Sequence, residues 1–163
     1  MFLESISNIS KESIAYVDET GIDTFLHRDY CRSKRGTKII GKVSGKKYKR
    51  CGIVAAKMGK KIISPLQYDG IMDSGLFETW FVQMLLPALP VSTSIVMDNA
   101  SFHRKSRLDL LAEAAGHKII FLPPYSPELN PIESFWSCLK SRLRKILPYF
   151  DCFDDALMDC FLV

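Results

Sequence analysis

Three carboxylates stand out for where they fall. Asp18 ends "SIAYVD", Asp98 ends "SIVMD", and Glu133 follows the proline-rich "FLPPYSPELNPIE". The first two close runs of β-branched and apolar residues that read as strands; the third opens an amphipathic helix. Strand ends in an open α/β sheet are where loops give access and the sheet gives rigidity. Three acids gathered there would repel one another unless cations lay between them. Mg²⁺ suits such a place, because it takes carboxylate oxygens and keeps several waters. Two such ions about 3.5–4 Å apart activate a nucleophile and stabilise a leaving oxygen in phosphoryl transfer.

Each acid also has a plainer use. Asp18 begins "DETG", a turn-forming stretch. Asp98 and Asn99 can cap the segment that follows them. Asn130 can cap a helix with Pro131 at its first position, and Glu133 then completes a capping box by reaching back to the cap's N–H.

The elements that must position these acids follow from periodicity. "SIAYVDETG", "TFLHRDYC", "KRCGIVAAK" and "KIISPLQYDG" read as strands, with a hairpin at Gly59-Lys60 between the last two. From Asp73 or Ser74 as cap, Leu76, Phe77, Trp80, Phe81, Met84 and Leu85 recur at helical spacing until Pro87 and Pro90 end the helix. "STSIVMDN" and "HKIIFLPP" read as short buried strands. Between them "KSRLDLLAEAAG" is a helix with Leu108, Leu111 and Ala112 inward and Gly116 as its stop. Ile132, Phe135, Trp136, Leu139 and Leu143 form an amphipathic stripe, and "FDDALMDCFLV" a last short helix. Strands first, then helices alternating with strands, predict an α/β layered domain whose later strands are parallel.

The 163 residues, 47% hydrophobic and 25% charged, suffice for one domain with a proper core. No apolar run approaches the roughly 18–20 residues that span a bilayer. The start lacks the basic and long apolar regions of a secretory signal. Five scattered cysteines with no C-x-x-C pair argue against zinc and read as reduced thiols, mostly packing residues.

The net charge is +4, but nine Lys or Arg and no acid lie between Arg32 and Arg50. Such a stretch suits a polyanion, or else a solvated edge. Arg32, Lys34, Arg35, Lys38, Lys46, Lys47, Lys49 and Arg50 are the candidate phosphate contacts. Lys140, seven residues beyond Glu133 and so on the same helix face, is another, or a solvated lysine.

"VDETG", "MDNASFH" and "FLPPYSPELNPIESFW" followed by "LK" resemble the catalytic domain of mariner-like DDE transposases, in particular bacterial insertion-sequence enzymes. The 34 residues between Asp98 and Glu133 match the spacing of that superfamily. The resemblance implies a ribonuclease-H-like fold, with three antiparallel strands and then parallel ones. It implies a metal-binding triad of Asp18, Asp98 and Glu133 with two Mg²⁺ (or Mn²⁺) ions. These drive hydrolysis at the ends of a mobile element and then attack of a 3′-OH on target DNA, often at TA-containing sites.

Double-stranded DNA, a homodimer and a bacterial cytoplasmic, nucleoid-associated location follow from the same resemblance. Asn99 and His103 become supporting residues, His103 orienting a phosphate or a metal-bound water, or simply bonding its loop. Glu19 points to the opposite face of its strand from Asp18. Trp80 and Trp136 read as core.

Relatives carry a helix-turn-helix region upstream, whereas 17 residues precede Asp18 here. The expected division is a linker remnant over 1–12 and a catalytic domain over 13–163. Recognition of element ends would then come from a separate helix-turn-helix chain of a split frame. A truncated copy, left as a non-catalytic DNA-binding remnant, is the competing expectation.

Overall fold

The computed structural model describes residues 2–22, 34–37, 50–124 and 126–162. The expected strand over Thr24–Cys31 lies outside them, as do Arg32, Lys38, Lys46, Lys47 and Lys49. Lys34, Arg35 and Arg50 are described and exposed.

The centre is a five-stranded mixed sheet. Its strands are β1 (Ile14–Ile22), β2 (Cys51–Met58), β3 (Lys61–Asp69), β4 (Ser94–Met97) and β5 (Lys118–Phe121), in the order β3-β2-β1-β4-β5. β1, β2 and β3 pair antiparallel, while β1–β4 and β4–β5 pair parallel. The antiparallel part is a meander. Its β2–β3 hairpin turns at Gly59, whose φ of +57° is what the first central position of a type II′ turn needs. The parallel strands need crossovers, which the helices supply.

Alternation along β1 sends successive side chains to two different cores. Ala15 and Val17 join Val54, Ala56, Ile95 and Met97 under Phe77, Trp80, Phe81 and Leu108. Those covering residues belong to α2 (Ser74–Trp80), its continuation, and α4 (Lys105–Ala114). Ile22 faces the other way, with Ile53 and Ala55, against Ile132, Trp136, Leu139 and Leu143 of α5 (Ile132–Ile146) and Ala156 and Leu157 of α6 (Phe153–Phe161). A third cluster of Ile14, Val96, Ile120 and Leu122 receives Ile6 and Ile9, so α1 (Phe2–Ser7) and its following turn pack at the β5 side.

The helix from Ser74 departs from its sequence pattern in one respect. Asp73 Oδ1 accepts from Leu76 N–H at 2.8 Å and caps it. After Trp80, however, Phe81–Leu85 form a π turn, with Leu86 N–H bonded to the Phe81 carbonyl, before the last turn α3 (Leu86–Ala88).

Pro87 is the physical reason. It has no N–H to give, and its ring would press on the carbonyl four residues back; widening the turn relieves both problems. The helix therefore ends one residue past Pro87, between the two prolines expected to stop it. The widened turn also moves the inward positions along by one. Leu85 and Leu86 are buried, whereas Met84, expected inward, is 37% exposed.

Opposite this turn the β2–β3 register shifts between Val54 and Ala56, and Ser64 takes a left-handed φ of 51°. Two hydrogen bonds offset that strain. Ser64 Oγ donates to Met84 O at 2.8 Å, and Trp80 Nε1 donates to Ser64 O at 2.7 Å.

α4 ends as expected at Gly116. Its φ of +79° lets Gly116 N–H bond Glu113 O and His117 N–H bond Ala112 O, a Schellman motif. Among the four described cysteines, Cys51 and Cys160 pack as expected, but Cys138 and Cys152 are exposed because they fall on the outer side of α5 and before α6.

Candidate active site

Parallel pairing of β1 with β4 sets the first two acids side by side. Ile14, Ala15 and Tyr16 pair with Ser94, Ile95 and Val96, so the continued register brings Asp18 level with Asp98. β4 stops at Met97, leaving Asp18 facing the gap where the β4 chain turns away. From β5 the chain passes through Leu122, Pro123 and Pro124 and a short 3₁₀ turn at Pro127–Leu129 before α5 begins. That return path carries Glu133, in the first turn of α5, to the same place.

All three carboxylates line one cleft of about 530 Å³. Asn99, Ala100, Asn130 and the stiff wall of Pro123, Pro124 and Pro127 line it too. Lys140, two turns along α5, does not.

The two aspartates live in opposite environments. Asp18 is largely buried, faces Glu133 and Asp98, and has its pKa pushed up to about 7. Burial is the largest cause and the Glu133 charge the next; a hydrogen bond from Trp136 Nε1 to Oδ2 at 3.0 Å opposes them. Asp98 is half exposed and is held below the usual carboxylate range, chiefly by its hydrogen bond with His103. His103 Nε2 lies 3.2 Å from Asp98 Oδ1, and Ala100 N–H donates to the same oxygen at 3.1 Å.

His103 is buried between Phe77 and Phe102, with ring centroids 4.3 and 4.4 Å away. It therefore bonds an acid of the cleft from within the core, rather than standing in the cleft itself. Asn99 Nδ2 donates to Leu122 O and ties the end of β4 to the end of β5. Glu19 is on the other sheet face, beside Val54 in register. Burial, reinforced by Asp18 and Asp98, raises its pKa to about 8.

The expected capping box does not form. Asn130 is buried, and its Nδ2 donates to Val17 O on β1 at 3.4 Å instead of its side chain capping α5. Glu133 is exposed at the cleft's rim, and its carboxylate makes no hydrogen bond or ion pair with the described residues. Trp136 was expected as core alone. It is core, but its indole N–H also reaches Asp18, across 118 positions in sequence. Nothing local in the sequence signals that bond; its one trace is that Trp136 stands three residues after Glu133 on the buried stripe.

Among the described residues no three His, Cys, Asp or Glu side chains already stand in metal-ligating geometry. The donor chemistry nevertheless fits a hard divalent cation. The cleft offers carboxylate oxygens from three elements, and a cation there would offset the burial and the carboxylate repulsion that together raise Asp18.

Comparison with known proteins agrees with this architecture. A family model described as DDE superfamily endonuclease matches residues 13–156. No curated protein sequence matches the chain. Among solved structures, the Mos1 transposase catalytic domain with raltegravir and Mn is similar at 14% identity and a TM-score of 0.67, covering 99% of this chain and 76% of that one.

The Mos1 paired-end complex with the left transposon end gives 14% identity and a TM-score of 0.63, over 86% of this chain and 45% of that one. The catalytic core domain of BIV integrase gives 14% and 0.57, over 93% and 82%. This chain thus spans about half the length of the Mos1 chain in that DNA complex. The expected mixed sheet flanked by helices is the ribonuclease-H-like fold of these catalytic domains. No described helix is long and apolar enough to cross a membrane. With a match that runs from the start of β1 into α6, the chain belongs to the DDE superfamily endonucleases.

Proposed function

We propose that this chain cuts and joins DNA as the catalytic domain of a transposase, with Asp18, Asp98 and Glu133 as its acidic triad. One observation carries the reading: three acids far apart in sequence line a single cleft at the ends of adjacent parallel strands and the start of α5. The three would hold Mg²⁺, as two ions, or Mn²⁺ in its place. When bound, such ions activate the attacking water or 3′-OH and neutralise charge on the leaving oxygen.

The chain's own residues prepare for this. His103 and the Ala100 N–H keep Asp98 ionised and fix one of its oxygens. Trp136 holds one oxygen of Asp18. The proline wall fixes the approach of α5, so Glu133 opens beside the aspartates. DNA would be held through its phosphates by the basic stretch from Arg32 to Arg50 and by Lys140.

The same reading extends to partners and place. The substrates are the ends of a mobile element and a target duplex. A helix-turn-helix region recognises those ends, a second copy completes the assembly, and the work is done on DNA in a bacterial cytoplasm, at the nucleoid.

Glu133→Gln tests the reading. Because the capping box is absent, glutamine loses no cap; it loses the negative charge Mg²⁺ needs. Divalent-dependent cleavage of end DNA, supplied with the recognition region and active in wild type, is expected to vanish. Thermal stability is expected to stay within about 0.5 kcal/mol. Cleavage at the wild-type rate by the glutamine variant would overturn the triad.

A further inference from the structure

We propose that Trp136 is a positioning residue of this site: its indole N–H fixes Asp18 for cation binding and locks the helix carrying Glu133 to the strand carrying Asp18. The inference rests on the triad proposed above.

Three observations carry it. Trp136 is almost wholly buried, yet its one polar atom is spent on Asp18 Oδ2 at 3.0 Å. A buried indole N–H needs an acceptor, but a backbone carbonyl would serve, as Ser64 O does for Trp80. Here the acceptor is a carboxylate of the cleft. That bond occupies one oxygen, fixes the side chain's rotation, and leaves Oδ1 as the oxygen not committed to Trp136.

The second observation is placement. Asn130, just ahead of α5, and Trp136, about one helical turn past Glu133, stand three residues before and three residues after it. They bond consecutive β1 residues, Asn130 Nδ2 to Val17 O and Trp136 Nε1 to Asp18 Oδ2. Glu133 is therefore bracketed by two bonds to the strand that bears its partner acid.

The third observation is contrast. The Glu133 carboxylate makes no hydrogen bond to the described residues, so its distance from Asp18 is set by the helix, which this clasp ties to β1 beside the apolar packing of its buried face. Neither bond depends on a bound cation, so the arrangement is built before any arrives.

The experiment measures Mn²⁺ binding to the full chain without DNA, by the loss of the free-ion electron paramagnetic resonance signal. Four proteins are compared: wild type, Asp18→Asn, Trp136→Phe, and the double variant. Trp136→Phe is expected to weaken Mn²⁺ binding by about 10-fold or more, as loss of an orienting partner does. In the Asp18→Asn background its effect is expected to be smaller, because the carboxylate it orients is gone and only its hold on α5 remains; an effect as large as in wild type would overturn the orienting role.

A purely structural role is separated by Leu139→Ala, which loosens the same core without touching the cleft. That variant is expected to melt at lower temperature and to bind Mn²⁺ as wild type does. Should Trp136→Phe fail to fold, the benzothiophene analogue of tryptophan at 136 keeps the ring shape and replaces the N–H by sulfur. Wild-type Mn²⁺ affinity in Trp136→Phe or in the analogue, alongside weakened affinity in Asp18→Asn, would overturn this inference and leave the triad standing. Unchanged affinity in Asp18→Asn would overturn both.

Discussion

Asp18 and Asp98 are the same residue type at the same level of neighbouring parallel strands, yet the fold treats them oppositely. At the end of β4, Asp98 is half exposed and takes hydrogen bonds from a buried histidine and a backbone N–H. Its charge is favoured. Inside β1, Asp18 is largely buried and sees Glu133 and Asp98, and its bonds from the Glu19 backbone N–H and Trp136 only partly offset this. Its charge is opposed.

The difference teaches where the electrostatic strain of the site is stored. Most of it lies on the β1 acid, and the β4 acid is the settled partner. Functional sites commonly carry such strain because the geometry that serves chemistry is not the one that maximises stability.

The largest break in this contrast comes from neutralising the strained member. A carboxyl with a folded-state pKa near 7 and an ordinary unfolded value binds more protons when folded. The stability it contributes is fully present below about pH 4 and is lost as pH rises through 7. Asp18→Asn removes that loss while keeping an acceptor for Trp136. Without divalent ions it is therefore expected to be more stable than wild type at pH 8, by roughly 1–3 kcal/mol, and no more stable near pH 4. It is also expected to lose DNA cleavage. Thermal melts from pH 4 to 8 check the first point. A pH-independent difference from wild type would mean Asp18 is not strained.

A smaller effect sharpens the other side. His103→Gln weakens the partner that holds Asp98 below its usual range. The depressed pKa contributes stability above about pH 4 that is lost as pH falls through the folded value. The gap between wild type and variant is thus expected to be about 0.5–1.5 kcal/mol at pH 7 and to close in acid. A gap that widens on acidification would contradict this account of Asp98.

The smallest effect lies outside both aspartates. Lys140→Ala is expected to leave metal binding and stability unchanged and to lower the logarithmic salt slope of DNA binding by about one. An unchanged slope would place Lys140 away from the phosphates.

What the sequence made legible follows from how local each determinant is. β1 to β5 carry their own patterns, Asp73 its own cap, and Gly116 its own stop, so these were readable. The stripe of Ile132, Trp136, Leu139 and Leu143 was readable as a buried face for the same reason. The acids could be placed at element ends, and parallel pairing then brought the aspartates level.

Other features answer to partners far along the chain. The π turn is a response to Pro87 combined with a docking partner, Ser64, twenty residues from Met84. Asn130 has every local qualification for a cap. It was diverted because Val17 offers a buried carbonyl, 113 positions away. Trp136 bonding to Asp18 is the same kind of fact. Pattern finds the elements; the bonds between them, which give this cleft its asymmetry, depend on tertiary packing.

The central claim is that Asp18, Asp98 and Glu133 share one cation site. Anomalous diffraction from crystals of this chain in Mn²⁺ tests it most directly. The account predicts a Mn²⁺ peak in the cleft, touching Asp18 and Asp98 with Glu133 turned toward it. Mn²⁺ bound elsewhere on the chain, with the cleft showing no peak at saturating Mn²⁺, would contradict it.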